Sequence, residues 1–98
     1  MAEIVWTVPA LEQLDDLAQY IALDKPAAAR ALVAKVVAAV SRLEHFPDSG
    51  RVPVELPGSI YREVVVPPCR IFYRAANEQV FIIHIMREER LLRAHMLE

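Results

Sequence analysis

Cysteine and glycine are scarce in this sequence of 98 residues, which contains one cysteine, Cys69, and two glycines. A single cysteine excludes an internal disulfide bond and is typical of a reducing compartment, so we expect a cytoplasmic protein. The two glycines, Gly50 and Gly58, lie apart and exclude a glycine-rich loop that cradles phosphates. Because the histidine, cysteine and acidic residues lack the spacing of metal ligands, we expect neither a metal nor a cofactor.

Long apolar runs and an excess of positive charge are also missing. The chain has no uninterrupted apolar run of about 18 residues. Its N-terminus lacks the basic and apolar regions of a signal peptide, so we expect no membrane association. The formal net charge is −2 and the pI is about 5.9. Since proteins that hold phosphates usually carry a basic excess, we expect no direct, sequence-specific nucleic-acid binding by this chain.

The first half of the chain predicts one short strand and two helices. Residues 3–7 combine β-branched and aromatic side chains, which indicates a strand. Pro9 then favours the start of a helix whose apolar residues, spaced by three and four, form one stripe of Leu11, Leu14, Leu17, Ala18 and Ile21. A second helix is predicted over 27–46, where alanine is frequent, with Asp24 as its N-cap. The short break between the helices makes them an antiparallel hairpin.

The second half predicts a loop followed by three strands. Residues 47–59 contain three prolines and both glycines, a composition typical of a surface loop. Strands are predicted over 60–66, 69–75 and 79–86, and the short links between them imply an antiparallel β-meander. The last of these strands is apolar on both faces, which predicts a central or covered position.

Together these elements predict a single α+β domain over residues 1–98 with the order β-α-α-β-β-β. We expect the N-terminal strand and the antiparallel helical hairpin to pack on one face of an antiparallel β-sheet and to leave the other face partly open. The tail, residues 87–98, is compatible with a short C-terminal helix. Its apolar side chains need cover, and a partner protein is one source of it.

Two arginines lie on one side of the middle strand of the predicted meander. Because side chains of a strand alternate between faces, Arg70, Phe72 and Arg74 are predicted to point to the open face. Ile71 and Tyr73 then point to the helices. Arginine and aromatic residues are enriched at protein interfaces, so the pattern favours partner binding. A solvated sheet face and a catalytic role are the other two interpretations.

The sequence resembles the RelE/ParE toxin superfamily of bacterial toxin–antitoxin systems in four segments that follow one another in the same order. These are VWTVPALEQLDDLAQYIA (5–22), FPDSGRVPVEL (46–56), YREVVVPPCRIFYR (61–74) and VFIIHIMREERLL (80–92). They cover nearly the whole chain. The long helical pair and the Phe-Pro-x-x-Gly-Arg loop at 46–51 make the ParE branch the closer match.

The resemblance implies a toxin that inhibits growth and is neutralised by a separately encoded antitoxin. ParE-like toxins poison DNA gyrase, whereas RelE-like toxins cut mRNA on the ribosome. The RelE-like alternative assigns catalysis to Arg70, Arg90 and His95 in this chain. The late tyrosine or histidine of that branch falls near Ala94, which cannot transfer a proton. We therefore expect inhibition of gyrase by protein–protein contact rather than an enzyme, and an inactive member that only binds antitoxin is a third alternative.

Partner binding is predicted for arginines of the sheet and for the tail. A disordered antitoxin segment that folds as it binds is expected to cover both in a tight hetero-oligomer. The predicted contact residues are Arg62, Arg70, Phe72, Arg74, Arg87, Arg90, Leu91, Leu92 and Arg93.

Overall fold

The computed structural model describes residues 1–98 and has the element order that the sequence predicts. Its helices and strands are β1 (Glu3–Trp6), α1 (Val8–Ala22), α2 (Pro26–Ser41), β2 (Tyr61–Val66), β3 (Cys69–Ala76) and β4 (Gln79–Arg87). Short 3-10 helices at Arg42–Glu44 and Ala94–Leu97 follow α2 and β4. The α+β fold class is confirmed, and the short C-terminal helix is a 3-10 turn. Neither long helix has the length and apolarity that a bilayer crossing requires.

The side chain of Thr7 joins the start of α1 to the sheet. Its hydroxyl accepts a hydrogen bond from the Ala10 amide at 3.4 Å and donates one to the Ile82 carbonyl at 2.6 Å. Pro9 occupies the first turn, where its missing N–H removes no helical hydrogen bond. Helix α1 therefore begins at a point that is tied directly to the central strand.

The boundaries of α2 differ from the prediction at both ends. Lys25, not Asp24, is the N-cap residue, and its side chain makes no capping hydrogen bond. The Lys25 amide instead donates to the Ile21 carbonyl at 2.8 Å, so the turn between the helices is closed by the end of α1. The α-helix ends at Ser41 and continues as a 3-10 helix over Arg42–Glu44. Pro47 then disfavours helical backbone at Phe46.

The four strands form one sheet in the order β1-β4-β3-β2. Strands β2, β3 and β4 are the predicted antiparallel meander, whereas β1 pairs with β4 in parallel, so the complete sheet is mixed. A parallel pair needs a long crossover, and the helical hairpin provides it. Strand β4 lies inside the sheet, as expected from its two apolar faces.

The main core lies between the helical hairpin and one face of the sheet. A β-bulge interrupts the pairing of β3 with β4: Phe72 pairs with His84, but Tyr73 pairs with Ile82. Consequently Ile82 and Ile85 both face the helices, although they are three residues apart. The buried members of this core are Ala10, Leu14, Leu32, Val36, Val40, Leu43, Val66, Cys69, Ile71, Tyr73, Val80, Ile82 and Ile85.

The second face of the sheet is not as open as the sequence suggested. The loop 47–59 and the tail fold over it and form a smaller core, whose buried members are Phe72, Met86, Leu92 and Leu97. The partly buried Leu56 of the loop packs against the same cluster. The tail thus buries Leu92 and Leu97 within its own chain, so these two side chains need no cover from a partner.

The loop after α2 is held to the sheet by the buried hydroxyl of Tyr73. That hydroxyl accepts a hydrogen bond from the Gly50 amide at 2.9 Å and donates one to the Pro47 carbonyl at 2.8 Å. A Cβ atom at position 50 would lie 2.6 Å from the Tyr73 hydroxyl and 2.8 Å from the Glu63 carbonyl. Glycine is therefore required here by the close approach of backbone and side chain.

Replacing this glycine should destabilise the protein. We expect Gly50→Ala to lower the free energy of unfolding by about 1–3 kcal/mol, the usual cost of overpacking a well-packed site. Urea unfolding of both proteins measures the change. Ser49→Ala, at an exposed neighbouring position, is the control and should lie within about 0.5 kcal/mol of the wild type. An unchanged midpoint for Gly50→Ala would contradict the close packing at Tyr73.

Candidate functional site

Arg70, the most prominent candidate residue of the sequence, is buried within a network of carboxylates. Its guanidinium forms a bidentate pair with Glu63, through Nε to Oε1 at 2.8 Å and Nη2 to Oε2 at 2.9 Å. A second bidentate pair joins Nη1 and Nη2 to the two oxygens of Glu55, both at 2.7 Å. Nη1 also donates to the Arg90 carbonyl at 3.2 Å. All five N–H donors of this arginine are therefore used inside the chain.

The charges of this network stabilise one another. The hydrogen bonds from Arg70 lower the pKa of Glu55 to about 2, against the opposing effect of burial, and the Leu92 amide adds to the lowering. The same carboxylates, Glu55 first, raise the pKa of Arg70 above its ordinary value. The exposed Arg51 lies with its Nε 3.5 Å from Glu63 Oε2, which offsets the second negative charge. The cluster is thus a balanced group of ions rather than a free cation.

Arg70 and Phe72, predicted to look outward and bind a partner, are buried in the folded chain. Their relative exposures are 6% and 0%, and the guanidinium carbon of Arg70 lies 4.9 Å from the centroid of the Phe72 ring. Strand alternation correctly places both on the face away from the helices. It does not reveal the second layer on that face, in which Glu55 neutralises the arginine and Leu92 covers the ring.

The leucines of the tail divide into one that is buried and one that is not. Leu91 is 66% exposed and remains available to a partner, whereas Leu92 is 4% exposed and belongs to the smaller core. Leu92, for which a contact role is predicted, therefore does not lie on the surface of this fold. The side chains of Arg90 and Arg93 are exposed on either side of the leucine pair.

The other predicted arginines lie at three separate places. Arg62 pairs across the sheet with Tyr73, so it does not share the face of Arg70, and it donates to the Gly50 carbonyl at 2.8 Å. Arg74 lies on the second face with its guanidinium carbon 5.3 Å from the Phe81 ring centroid. Arg87 lies over the exposed ring of Tyr20 at 5.4 Å. The structure does not gather the predicted contact residues into one patch.

The three residues of the catalytic alternative do not form a free catalytic group. Arg70 donates a hydrogen bond to the backbone carbonyl of Arg90, while the side chains of Arg90 and His95 are exposed. The chain also has no cluster of three or more histidine, cysteine, aspartate or glutamate side chains placed to hold a metal ion. His84 is held away from such chemistry: Gln13 donates to its Nδ1 at 3.0 Å, and burial lowers its pKa.

A groove of about 530 Å³ remains on the part of the second face that the tail leaves uncovered. Phe81 and Ile83 contribute apolar surface, Tyr61 and Arg74 contribute polar groups, and the end of the tail forms one wall. Such a groove suits an apolar segment that carries an acidic residue for the arginine. This groove is the part of the predicted open sheet face that remains uncovered.

Sequence reasoning did not identify the two carboxylates as part of the site. Glu63 interrupts the apolar run of β2, and its backbone pairs with Phe72, which places its side chain on the face of Arg70. A lone acidic residue within an apolar strand, opposite a strand with an arginine, is a signal that could have revealed this pair. Glu55 lies in the proline-rich loop, where no periodic pattern indicates its position.

Comparison with known proteins gives consistent matches over most of the chain. Residues 4–92 match the family model described as the ParE toxin of the type II toxin–antitoxin system parDE. Toxin RelE2 of Caulobacter vibrioides is 34% identical over 91 residues, which are 93% of this chain and all of that protein. A structure described as the chromosomal ParDE system of P. aeruginosa superposes with a TM-score of 0.73 at 26% identity, covering 89% of this chain and 96% of that one. The matched region includes the buried network and the start of the tail.

Proposed function

We propose, from the premise that this chain belongs to the ParE toxin family of type II toxin–antitoxin systems, that it inhibits DNA gyrase by protein–protein contact. A cognate antitoxin would neutralise this toxin by binding to it. The proposal makes the protein an inhibitor and not a nuclease, and it requires no cofactor. The choice of gyrase rests on the resemblance to ParE-like toxins.

The saturation of Arg70 is the observation that supports contact over RNA cleavage. A ribonuclease needs cationic donors aimed at the phosphate, where charge develops in the transition state. Every donor of Arg70 already has an acceptor within the chain. Removing one partner from a buried ion pair costs about 3–5 kcal/mol, so releasing this arginine to bind a phosphate is strongly unfavourable.

The antitoxin partner is supported by the family and by the remaining surface of the toxin. The groove beside Arg74 and the exposed side chains of the tail both lie on the second face of the sheet or at its end. An unfolded antitoxin segment can follow such a surface, ordering as it binds. Acidic and apolar residues in that segment would complement the arginines there.

The proposal is tested with purified toxin in two assays. We expect inhibition of DNA supercoiling by gyrase, with half-maximal effect at about micromolar toxin, an ordinary affinity for a protein contact. In a ribosome assay with the same preparation, we expect A-site mRNA to stay intact. Adding the cognate antitoxin should restore supercoiling.

The opposite pattern would identify a different mechanism. Intact supercoiling together with cleaved mRNA would overturn the proposal in favour of a ribonuclease. If neither assay responds and expression of the chain without antitoxin leaves growth normal, the protein is an inactive member that only binds antitoxin.

A further inference from the structure

The tail has no regular secondary structure at Leu91 and Leu92, where it passes over the smaller core. Strand β4 ends at Arg87, and the 3-10 turn begins at Ala94. Between them, residues 91–93 are neither helix nor strand. Backbone hydrogen bonds of a helix or sheet therefore do not determine which of these residues points inward.

Two hydrogen bonds from side chains of the body hold this part of the tail. Glu55 Oε2 accepts from the Leu92 amide at 3.0 Å, and Arg70 Nη1 donates to the Arg90 carbonyl at 3.2 Å. The same Glu55 oxygen also accepts from Arg70 Nη1 at 2.7 Å. The two side chains are thus a connected latch that grips the tail on both sides of Leu91.

Apolar burial alone does not distinguish the two neighbouring leucines. Leu91 and Leu92 have the same side chain, so a slip of the tail by one residue would bury the other at similar transfer free energy. In extended chain such a slip exchanges the inward and outward side chains. A hydrogen bond to one particular amide does make the distinction, because the slipped chain would offer Glu55 a different N–H.

We propose that the latch of Glu55 and Arg70 sets the register of the tail, burying Leu92 and presenting Leu91 as the centre of a contact patch for the toxin's protein target. The contact patch consists of Val54, Arg90, Leu91 and Arg93. All four side chains are exposed. Val54 precedes Glu55 and Leu91 precedes Leu92, so the hydrogen bond between Glu55 and Leu92 brings Val54 and Leu91 to the same region. The identity of the partner rests on the proposed function; the register of the tail does not.

The composition of the contact patch indicates the chemistry of its partner. An exposed leucine and an exposed valine, accompanied by arginines, resemble the centre and rim of a protein interface. The arginines favour an acidic rim on the target, and the exposed leucine favours a small apolar pocket. Glu88 and Glu89 in the preceding turn place negative charge on one side of the patch.

The register part of the proposal is tested by amide hydrogen exchange. Glu55→Met keeps the volume of the side chain but removes both acceptor oxygens. We expect exchange of the Leu92 amide to accelerate about tenfold or more, because this amide loses a hydrogen bond to a charged acceptor. Exchange of the Val80 amide in the main core should change only as much as the global stability of the variant changes. Glu88→Met, at an exposed glutamate in the turn where the tail begins, is the matched control and should behave as the wild type.

Three further variants keep the test decisive. Glu55→Gln retains one acceptor oxygen and should give an intermediate rate at Leu92; it also serves if Glu55→Met does not fold. Leu91→Asp should retain the wild-type exchange pattern while reducing growth inhibition about tenfold or more, the effect expected for a central interface residue. Leu91→Met should keep most of the inhibition.

The outcomes separate this inference from the proposed function. Unchanged exchange at Leu92 in Glu55→Met would overturn the latch, whatever the target is. Accelerated exchange with full growth inhibition in both Glu55→Met and Leu91→Asp would overturn the contact patch. If the wild type does not inhibit gyrase but both variants lose growth inhibition, the target is another protein and the inference stands.

Discussion

Replacing Arg70 by methionine should lower the free energy of unfolding by about 3–5 kcal/mol, because it leaves the buried carboxylates of Glu63 and Glu55 without their counter-ion. A domain of this size has a total stability of about 5–15 kcal/mol, so the loss is a large fraction of it. The melting temperature should fall by more than about 10 °C. Urea and thermal unfolding followed by circular dichroism measure both quantities.

Two comparisons isolate the role of the network in this loss. Arg74→Met, on the same strand and face, removes only a half-exposed cation–π contact with Phe81 and should cost about 1 kcal/mol or less. The triple change Arg70→Met, Glu63→Leu and Glu55→Gln removes the uncompensated charges and should recover at least half of the lost stability. A triple variant as unstable as Arg70→Met would show that unpaired charge is not the cause.

Replacing Phe72 by alanine should have an effect of similar size for a different reason. The ring is fully buried between the sheet and the tail, so its removal leaves a cavity beneath Leu92 and Leu97. Truncation of a buried phenylalanine costs about 3–5 kcal/mol, through lost transfer free energy and the unfilled volume. Equilibrium unfolding in urea gives the value.

Phe46→Ala is the matched control for this prediction. Phe46 is largely exposed near the start of the loop, and its truncation should change stability by about 0.5 kcal/mol or less. If Phe72→Ala were equally mild but weakened binding of the antitoxin or the target, Phe72 would be an interface residue, as its position between two arginines first suggested.

The sequence predicted the elements of this fold well because their patterns are local. The alternation in β3 placed Ile71 and Tyr73 toward the helices, and the two-sided apolar pattern of β4 indicated its internal position. The parallel pairing of β1 with β4 was not predicted, because the residue types at 3–7 do not indicate which strand they pair with. The bulge of β4 is likewise invisible in the pattern, because an extra residue changes no residue type.

The candidate site was predicted in part. Arg90, Leu91 and Arg93 are exposed as expected, and Arg74 lies beside the remaining groove. Arg70 and Phe72 were placed on the correct face but given the wrong environment. The error arose because strand periodicity reports which side a residue faces and says nothing of what else packs on that side.

The sequence by itself determined the order of helices and strands, the helix-facing core and the family of this protein, since each is encoded by residue types at short, regular spacings. Only the tertiary structure decided that Arg70 is neutralised, that the tail covers the second face and that Leu92 rather than Leu91 is buried. These depend on Glu55, which is 15 residues from Arg70 and 37 from Leu92 along the chain. Contacts over such separations form only in the folded chain, where buried charges and amides require hydrogen-bonding partners.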